Sequence, residues 1–453
     1  MSFPAYPKYK DSRVDWVGPI PEHWEVCALG FRYEVALGKM LDEKRITGRH
    51  LAPYLRNTDV QWDKINSDDL PEMDFSGDDL TRYQLKKGDL LVCEGGEVGR
   101  CAIWDASIDE CYYQKALHRV RALSPADSPL YLRFVLFMAA SVGVFAGSAG
   151  KSTIAHLPAE TFRRHRFPFP PRDEQVRIAA FLDCETAKID ALVAEQWRLI
   201  ELLKEKRQAT ITHAVTKGLD PHVPMKDSGI EWLGELPAHW TLTRMKHLVS
   251  VVEQGWSPQC ENGPAEEGAW GVLKVGCVNG GAFNPSENKA LPTEFDPVPA
   301  LAVRKNDLLI SRANTRELVG SAAVVERDYP KLMLCDKLYR IRMHEHVEPI
   351  FMAYYLGSGA VRGQIELDAT GASASMLNIS QASILELAVP LPSRAEQIQI
   401  SAFVRTELNR IADLTSEAER SIDLLVERRN ALISAAVTGQ IDVRHLAEKQ
   451  AAA

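Results

Sequence analysis

The stretch Asp11-Ser-Arg-Val-Asp-Trp-Val-Gly-Pro-Ile-Pro-Glu-His-Trp24 decides the fold, because it returns as Asp227-Ser-Gly-Ile-Glu-Trp-Leu-Gly-Glu-Leu-Pro-Ala-His-Trp240. Both copies keep Asp, Ser, two Trp, Gly, Pro and His in register. Chance does not place two tryptophans, a proline and a histidine at identical spacing twice. Self-similarity of this kind is the mark of a repeated structural unit.

A second repeat lies downstream of each leader. Pro168-Phe-Pro-Pro-Arg-Asp-Glu174-Gln175 matches Pro390-Leu-Pro-Ser-Arg-Ala-Glu396-Gln397, and each copy opens a long helical pattern that ends in Ala-Val-Thr. The period is about 220 residues, far longer than the unit of a solenoid. The chain is therefore a duplicated module of one globular block and one long helix.

Proline punctuation marks the domain boundaries, since proline disfavours α conformation in the residue before it. The sequence predicts seven segments. They are a leader (1–24), a first globular block (25–168), a first helical region (169–224), a second leader (225–240), a second block (241–390), a second helical region (391–443) and a tail (444–453).

The helical regions carry apolar stripes whose spacing alternates between three and four residues. The first stripe is Ile189, Leu192, Gln196, Leu199 and Leu203, and the weaker second one is Ile411, Leu414, Ala418, Ser421 and Leu425. This spacing is typical of a helix packed on another helix. Two such helices, each roughly 60 Å long if unbroken, predict an antiparallel coiled coil that separates the blocks; packing of each helix on its own block alone is the alternative.

Short β-like runs dominate both blocks. Block one has runs at 89–93, 101–104 and 117–121, and block two repeats them at 307–311, 322–325 and 339–342. Each set is followed by an apolar helical stretch, at 130–140 and 349–356. The fold class is therefore α+β, with two α/β-mixed globular domains in a tandem pseudo-two-fold repeat.

Composition restricts the function. The chain has 453 residues, eight scattered cysteines and a net charge of −8. It shows no C-x-x-C pair, membrane span or signal core, which predicts buried free thiols, no metal site and a cytoplasmic protein. The negative charge argues against DNA binding for the chain as a whole, but local patches can be basic. The acidic stretch 59–79, with eight acidic side chains, is expected to face away from phosphate.

No catalytic motif is visible. Gly147-Ser-Ala-Gly-Lys-Ser-Thr153 lacks the spacing of a nucleotide-binding loop, and neither a methyltransferase motif nor a nucleophile–His–acid arrangement stands out. We therefore expect no catalytic residue and no bound cofactor.

Taken together, the motifs closely resemble the DNA-specificity subunits of type I restriction–modification systems. The residues that carry the resemblance are the two Pro-x-Pro-x…Glu-Gln motifs with their helices, the leader at 227–240, and the block-one motifs 38–42, 53–57, 88–96, 99–101, 114–115, 118–121 and 150–157. The resemblance covers residues 11–443. The second helix departs modestly, with Phe403-Val-Arg405 in place of Phe181-Leu-Asp183.

The resemblance implies a non-catalytic reader of a bipartite site in double-stranded DNA. Each block would be a target-recognition domain for one half-site, and the helices would set the gap and dock two adenine-methyltransferase subunits. Motor-nuclease subunits would join them. S-adenosylmethionine, ATP and Mg²⁺ would be bound by these partners.

The polar loops of the two blocks supply the candidate DNA contacts, because Arg and Lys pair with guanine edges, Asn and Gln with adenine, and Ser and Thr with either. In block one they are Lys39, Lys44, Arg45, Arg56, Asn57, Arg100, Lys115, Lys151, Ser152 and Thr153. In block two they are Gln254, Trp256, Ser257, Arg312, Asn314, Thr315, Arg316, Lys337, Ser373 and Ser375. The alternative for any one of them is an ordinary solvated loop.

The resemblance also implies partner-binding residues on the helical regions. They are Glu174, Gln175, Phe181, Leu192, Leu199, Leu203, Glu396, Gln397, Phe403, Ile411 and Leu425. Two other functions stay open from the residues alone: an enzyme with an unrecognised catalytic site, and a coiled-coil scaffold that does not bind DNA.

Overall fold

The computed structural model of the chain describes residues 3–41, 47–146, 156–260, 263–373 and 376–444. It forms two compact units, residues 1–196 with 420–453, and residues 197–419. Each unit contains one globular block and parts of both long helices. The predicted linear boundaries stay a prediction, because the units divide both helices instead of separating helices from blocks.

The first unit contains thirteen short strands and three short helices among its described residues. The strands are β1 (Tyr9–Asp11), β2 (Pro19–Pro21), β3 (Glu25–Ala28), β4 (Tyr33–Leu37), β5 (Leu51–Leu55), β6 (Val60–Gln61), β7 (Lys64–Ile65), β8 (Glu72–Asp74), β9 (Leu90–Cys93), β10 (Cys101–Ile103), β11 (Tyr112–Tyr113), β12 (Leu117–Ala122) and β13 (Arg166–Phe169). The helices are α1 (Asp79–Arg82), α2 (Pro129–Ser141) and α3 (Ala159–Arg164), and the long helix α4 (Arg172–Lys217) follows them.

The second unit repeats this plan with additions. Its strands are β14 (Met225–Asp227), β15 (Glu235–Pro237), β16 (Thr241–Arg244), β17 (Val249–Gln254), β18 (Gly271–Leu273), β19 (Asn288–Ala290), β20 (Ala302–Val303), β21 (Leu308–Ser311), β22 (Ala313–Asn314), β23 (Ala322–Val324), β24 (Tyr329–Met333), β25 (Leu338–Met343), β26 (Thr370–Ser373), β27 (Met376–Asn378) and β28 (Ala388–Leu391). Its helices are α5 (Pro349–Leu356), α6 (Gly359–Asp368) and α7 (Gln381–Glu386), and the second long helix α8 (Arg394–Val437) closes the chain.

A four-stranded antiparallel sheet lies at the centre of each unit. In the first unit its order is β10-β9-β12-β4, and in the second unit it is β23-β21-β25-β17. The two sheets have the same topology. The predicted strands and the helices α2 and α5 are confirmed, and the α+β fold class with them.

Smaller sheets complete each unit. In the first unit, β11 pairs in parallel with β5, which pairs antiparallel with β8, and the remaining pairs are β1–β2, β6–β7 and β13–β3. The second unit has the corresponding pairs β14–β15 and β16–β28. Its sheet β19-β18-β24-β20 repeats the pairing of β8-β5-β11 with the extra strand β20, and it adds the sheet β22-β27-β26. The segment between β17 and β21 is nearly equal in length to the one between β4 and β9, so the two blocks differ here in strand pairing and not in chain length.

The two long helices pack on each other, as their apolar stripes predict. In the first unit the buried residues Ile178 and Leu182 of α4 share a core with Ile433 and Val437 of α8. In the second unit the other ends of the helices, at Ile211 and at Ile400, share a core. The start of one helix thus accompanies the end of the other, which confirms the antiparallel arrangement.

Local chemistry explains where the helices begin. The Ser128 hydroxyl accepts a hydrogen bond from the Tyr131 backbone N–H at the start of α2, and Pro129 occupies the first turn, where its missing N–H has no cost. Pro349 takes the same position in α5. Neither α4 nor α8 contains glycine or proline, so nothing in either sequence interrupts a helix of more than forty residues.

All eight cysteines are free, and five of them are buried. Burial raises the pKa of Cys93, Cys101 and Cys335, and that of Cys111 to about 12. They behave as small apolar residues, as the scattered pattern predicts. In the part of the chain that the structure describes, no helix is apolar and long enough to cross a membrane, and no group of three His, Cys, Asp or Glu side chains could hold a metal ion.

Candidate nucleic-acid interface and helix junctions

The predicted loops of the first block meet at one end of its central sheet. Lys39 follows β4, Glu94 follows β9, and Lys115 precedes β12. The Lys115 backbone N–H donates to the Lys39 carbonyl at 2.8 Å, and the Leu157 N–H donates to the Glu94 carbonyl at 2.8 Å. The antiparallel strand order therefore places three segments that are distant in the sequence side by side.

Two of the predicted DNA-contacting cations already have carboxylate partners within the chain. The Lys39 ammonium lies 2.7 Å from the Asp79 carboxylate. The Arg56 guanidinium donates two hydrogen bonds, of 2.9 and 2.8 Å, to Asp59, whose side chain is buried. Both partners belong to the acidic stretch 59–79, so part of this stretch neutralises basic residues inside the block.

Arg100 and Asn57 are brought together, and they fix the loop after β9. Arg100 Nη2 donates to the carbonyl and side-chain oxygens of Asn57 at 3.0 and 2.9 Å. The Asn57 amide in turn donates to the Gly95 carbonyl at 2.8 Å. These two residues hold the loop, whereas the side chain of Lys115 is exposed to solvent.

Several predicted contacts fall outside the residues that the structure describes. They are Lys44, Arg45, Lys151, Ser152, Thr153 and Ser375, and the side chain of Ser373 at the end of β26. Their role in DNA binding stays a prediction.

In the second block, the predicted residues converge on the turn before β25. Gln254 Nε2 and Arg312 Nη1 both donate to the Asp336 carbonyl, at 2.9 and 3.2 Å. The Asp336 N–H donates to the Ser257 hydroxyl at 3.2 Å. Lys337, next along the chain, is exposed. Four predicted residues, Gln254, Ser257, Arg312 and Lys337, thus lie around Asp336, which was not predicted.

The remaining block-two candidates divide into exposed and packed side chains. Asn314 accepts a hydrogen bond from the Thr315 N–H at 2.9 Å, and both Thr315 and Arg316 are exposed. Trp256 is half-buried and packs edge-on against Phe295, with ring centroids 5.9 Å apart. The indole of Trp256 therefore supports the block from within, which was not expected from its place in a polar loop.

Equivalent backbone contacts align the two blocks residue by residue. An added Cβ at Gly38 would lie 2.4 Å from the Tyr113 carbonyl oxygen, and one at Gly255 would lie 2.0 Å from that of Leu334. Only glycine fits either position. With this register, the N–H of Glu94 donates to the Ala116 carbonyl and the N–H of Arg312 to the Lys337 carbonyl, at 3.0 and 2.8 Å.

The charges at these equivalent positions are inverted. Glu94 corresponds to Arg312, and Lys115 corresponds to Asp336. Burial raises the pKa of Glu94, while His156 and Lys115 act in the opposite direction. The His156 ring lies 3.3 Å from the Glu94 carboxylate. The same frame therefore presents opposite polarities in the two blocks.

Glu174, predicted to bind a partner, is buried at the start of α4 and binds its own leader. Its carboxylate accepts hydrogen bonds from the Trp24 indole at 3.0 Å and from the Tyr6 hydroxyl, and lies 2.8 Å from the His23 ring. Burial and the adjacent carboxylate raise the pKa of Tyr6. Both motifs of this contact, His-Trp and Glu-Gln, were visible as repeats in the sequence. Their spacing did not show that one motif contacts the other.

The second copy has the same junction. Glu396 accepts a hydrogen bond from the Trp240 indole at 3.0 Å and lies 3.1 Å from the His239 ring. Gln175 and Gln397 accept hydrogen bonds from the N–H groups of Ser128 and Glu348, at 2.9 and 2.7 Å, just before α2 and α5. These contacts lie inside the chain and do not support a partner role for the four residues, which stays a prediction.

The buried seam of α4 differs in phase from the predicted stripe. Ile189 and Leu203 are buried as predicted, but Leu192 and Leu199 are 52% and 40% exposed. The buried position between them is Ile200. A stripe that alternates three and four residues can be drawn through Leu199 or through Ile200, and the predicted one is wrong in the middle of the helix.

The seam of α8 follows the prediction more closely. Ile411 and Ala418 are buried and Leu425 is half-buried, whereas Leu414 is 41% exposed. The two equivalent phenylalanines differ, since Phe181 is buried in the first unit and Phe403 is exposed.

The sequence and the fold agree with known proteins. Residues 21–196 match the family model of the type I restriction modification DNA specificity domain. The specificity subunit of the type I restriction enzyme EcoEI from Escherichia coli is 24% identical over 396 residues, covering 69% of this chain and 66% of that subunit. The putative type I restriction enzyme MjaX specificity subunit from Methanocaldococcus jannaschii is 25% identical over 437 residues, covering 94% and 96%.

Two solved structures share the fold. One is a chain from a study of complex assembly and conformational transition of the type I restriction–modification system, with a TM-score of 0.69, 16% identity, and coverage of 93% of this chain and 99% of that one. The other is the HsdS subunit from Thermoanaerobacter tengcongensis, with a TM-score of 0.55, 17% identity, and coverage of 93% and 98%. Residues 21–196 thus match the type I restriction modification DNA specificity domain, and the chain as a whole is similar in sequence to type I restriction enzyme specificity subunits.

Proposed function

We propose that this chain reads a two-part DNA sequence and places the enzymes of a type I restriction–modification complex on it. The observation that carries this proposal is the repeated sheet with inverted polarity at its loops. Glu94 and Lys115 in one block stand where Arg312 and Asp336 stand in the other. Two domains that share one scaffold can recognise different DNA sequences when their loops carry different residues.

The exposed and half-buried polar residues of the second block have the chemistry of base recognition. Arg316 and Lys337 offer donors to guanine, Asn314 can pair with adenine, and Thr315 can bond either. Arg312 and Gln254 hold the turn at Asp336 and so position this surface. Recognition of one half-site is assigned to each block.

The long helices provide a repeated apolar surface for protein partners. Leu192 and Leu414 are exposed and occupy equivalent positions of α4 and α8, as do Leu202 and Leu424. Exposed leucines that recur in both copies fit two copies of one partner. We assign this surface to two adenine-methyltransferase subunits, with motor-nuclease subunits joining the complex.

Catalysis is assigned to the partners. The specificity subunit contributes recognition and geometry, while the methyltransferases would hold S-adenosylmethionine and the motor would use ATP and Mg²⁺. Half-sites one helical turn apart are separated by roughly 34 Å, a distance that a helix of 46 residues, roughly 69 Å long at 1.5 Å per residue, can span.

The test is to co-express the chain with the adjacent methyltransferase in a methylation-free host and map N6-methyladenine across the genome. We expect one split motif, methylated on both strands. Exchanging residues 25–167 for another such domain should change one half-site only. A soluble complex without methylation would favour a scaffold, and methylation by the chain alone would reveal an enzyme; either result would overturn the proposal.

A further inference from the structure

A cleft lined by arginines lies beside the central sheet of the first unit. Its walls come from edge strand β4, the end of α1, strand β12 and helix α3, and its volume is about 600 Å³. Four guanidinium groups and one carboxylate line it: Arg82, Arg119, Arg121, Arg163 and Glu34. Such a concentration of positive charge is unexpected in a chain whose net charge is −8.

The charges of this cleft are only partly balanced. Arg121 is paired with Asp89 through hydrogen bonds of 2.7 and 2.6 Å, and Arg119 lies 3.3 Å from Glu34. Among the described residues, neither Arg82 nor Arg163 forms an ion pair with a carboxylate. Arg163 donates to the Val35 carbonyl, which is a neutral partner. The cleft therefore keeps an excess of positive charge.

One buried donor in the cleft is unsatisfied. The Arg119 side chain is only 5% exposed, and its Nε has no hydrogen-bond partner among the residues that the structure describes. Its Nη1 donates to the Arg82 carbonyl at 2.9 Å. A buried unpaired donor is costly, so the charge of Arg119 is incompletely compensated by the chain itself and adds to the positive potential of the cleft.

The second unit shows how the equivalent arginine is satisfied when no anion is needed. Arg340 takes the place of Arg119 in the sheet, and Glu253, which lies opposite Arg340, takes the place of Ala36. Arg340 donates to Glu253 at 2.8 Å and to the Ala300 and Ala302 carbonyls at 2.9 Å each. A segment of the chain thus occupies the space around Arg340 in the second unit, whereas the first unit leaves a cleft.

We infer that this cleft binds a phosphodiester group of the DNA backbone next to the half-site read by the first block. Guanidinium forks match phosphate geometry and bind it strongly. The cleft adjoins the recognition loops, since Leu37 lines it and Lys39 follows two residues later. Such a contact would add affinity without sequence preference.

The inference rests on the proposed function and deepens it. Lys39 and Arg56, near the recognition loops, are neutralised by Asp79 and Asp59. Positive charge for phosphate contacts is therefore better sought at cations that no carboxylate of the described residues pairs. Arg82 and Arg163 supply it.

The experiment compares DNA binding by complexes of the chain with its methyltransferase partner at several salt concentrations. The test variant carries Arg82→Gln and Arg163→Gln. The matched control is Arg164→Gln, since Arg164 is an exposed neighbour whose only described ion pair is with Glu160 at 3.9 Å. Both arginines of the test variant lie at the rim, so thermal unfolding should match that of the control.

We expect the test variant to bind about tenfold more weakly at low salt, with a salt slope smaller by about 1 for each phosphate that the cleft no longer neutralises. The methylated motif should not change. Arg82→Lys with Arg163→Lys should keep most of the slope, because the charges are kept.

Three results would overturn the inference. A salt slope equal to that of the Arg164→Gln control would show that the cleft does not meet phosphate. Loss of methyltransferase binding with normal DNA affinity would assign the cleft to an acidic peptide instead. A changed motif would make the arginines base-reading residues. Absence of salt-dependent, sequence-selective binding by the wild-type complex would be a failure of the proposed function itself.

Discussion

The two copies of the module agree at the contacts that hold each copy together and differ at the loops that we propose to contact DNA. Glu174 and Glu396 each bind the His-Trp pair of their own leader, and Gly38 and Gly255 each permit the same close backbone approach. At the loops, Glu94 is replaced by Arg312. The two copies therefore share the backbone contacts of the fold, while the loop positions of Glu94 and Arg312 carry opposite charges.

The anchors between blocks and helices differ as well. In the first unit, Asp183 of α4 pairs with Arg133 of α2. The equivalent residue of α8 is Arg405, which lies beside the Tyr354 hydroxyl of α5. The replacement of Asp183 by Arg405 looks minor in the sequence. It accompanies a change of partner in the block, from Arg133 to Tyr354.

The largest expected difference between the copies concerns the buried glutamates. Glu174→Ala should destabilise the first unit by about 3 kcal/mol, because it leaves the donors of Tyr6 and Trp24 buried without an acceptor. Glu396→Ala should cost about 1 kcal/mol, because the Glu396 side chain is 25% exposed, against 6% for Glu174, and has fewer partners. Urea unfolding of each variant measures both values.

The control for this comparison is the amide at each position. Glu174→Gln and Glu396→Gln keep an acceptor for the indole N–H and should recover part of the stability. Equal destabilisation by the two alanine variants would contradict the view that the first junction is the more deeply buried.

Acid should weaken the first unit more than the second. Burial lowers the pKa of His118 to about 4, and the positive charges of His156 and Arg163 act in the same direction. An unfolded histidine has a pKa of about 6.5. As the pH falls from about 6.5 to 4, His118 becomes protonated in the unfolded state but stays neutral in the folded state. The free energy of unfolding therefore decreases over this range, by up to about 3 kcal/mol.

The second unit supplies the control for His118. Tyr339 takes the place of His118, and its hydroxyl donates to the Ile379 carbonyl at 3.1 Å, where the His118 ring bonds the Leu157 carbonyl at 2.8 Å. His118→Tyr should keep this hydrogen bond and reduce the acid sensitivity. Urea unfolding at pH 4.5 and pH 7 checks it. An unchanged pH dependence in the variant would place the acid sensitivity elsewhere.

The sequence predicted the parts of the fold that depend on pattern. The repeats located both modules, the missing glycines and prolines predicted α4 and α8, and short apolar runs predicted the central strands. The choice between Leu199 and Ile200 for the helix seam could not be made, since both stripes have a helical period and only the packed partner distinguishes them.

The candidate site was predicted in outline only. The loops around Lys115, Arg312 and Asp336 do meet at the ends of the central sheets, because the strands that carry them were recognised. The pairing of Lys39 with Asp79 was missed. Side chains forty positions apart become partners through tertiary contacts that no local pattern records. The arginine cleft was missed for the same reason.

The smallest expected effect on stability distinguishes an arginine of a long helix that pairs with carboxylates from one that bonds a neutral carbonyl. We call these two contacts the charged and the neutral anchor. Arg429 of α8 lies 3.0 Å from Asp190 and 3.5 Å from Asp63. The equivalent Arg207 of α4 donates to the Gly280 carbonyl at 3.0 Å. Arg429→Gln should cost about 1 kcal/mol at low salt, since its partners are partly exposed.

High salt should separate these two anchors. At about 1 M salt, where the screening length is about 3 Å, the cost of Arg429→Gln should fall well below its low-salt value. The cost of Arg207→Gln should stay nearly constant, because a carbonyl carries no net charge to be screened. Thermal unfolding of both variants at the two salt concentrations makes the comparison. Equal salt dependence would mean that the ion pairs of Arg429 contribute no more than a neutral hydrogen bond, and that the anchors of the two units are alike in strength despite their different chemistry.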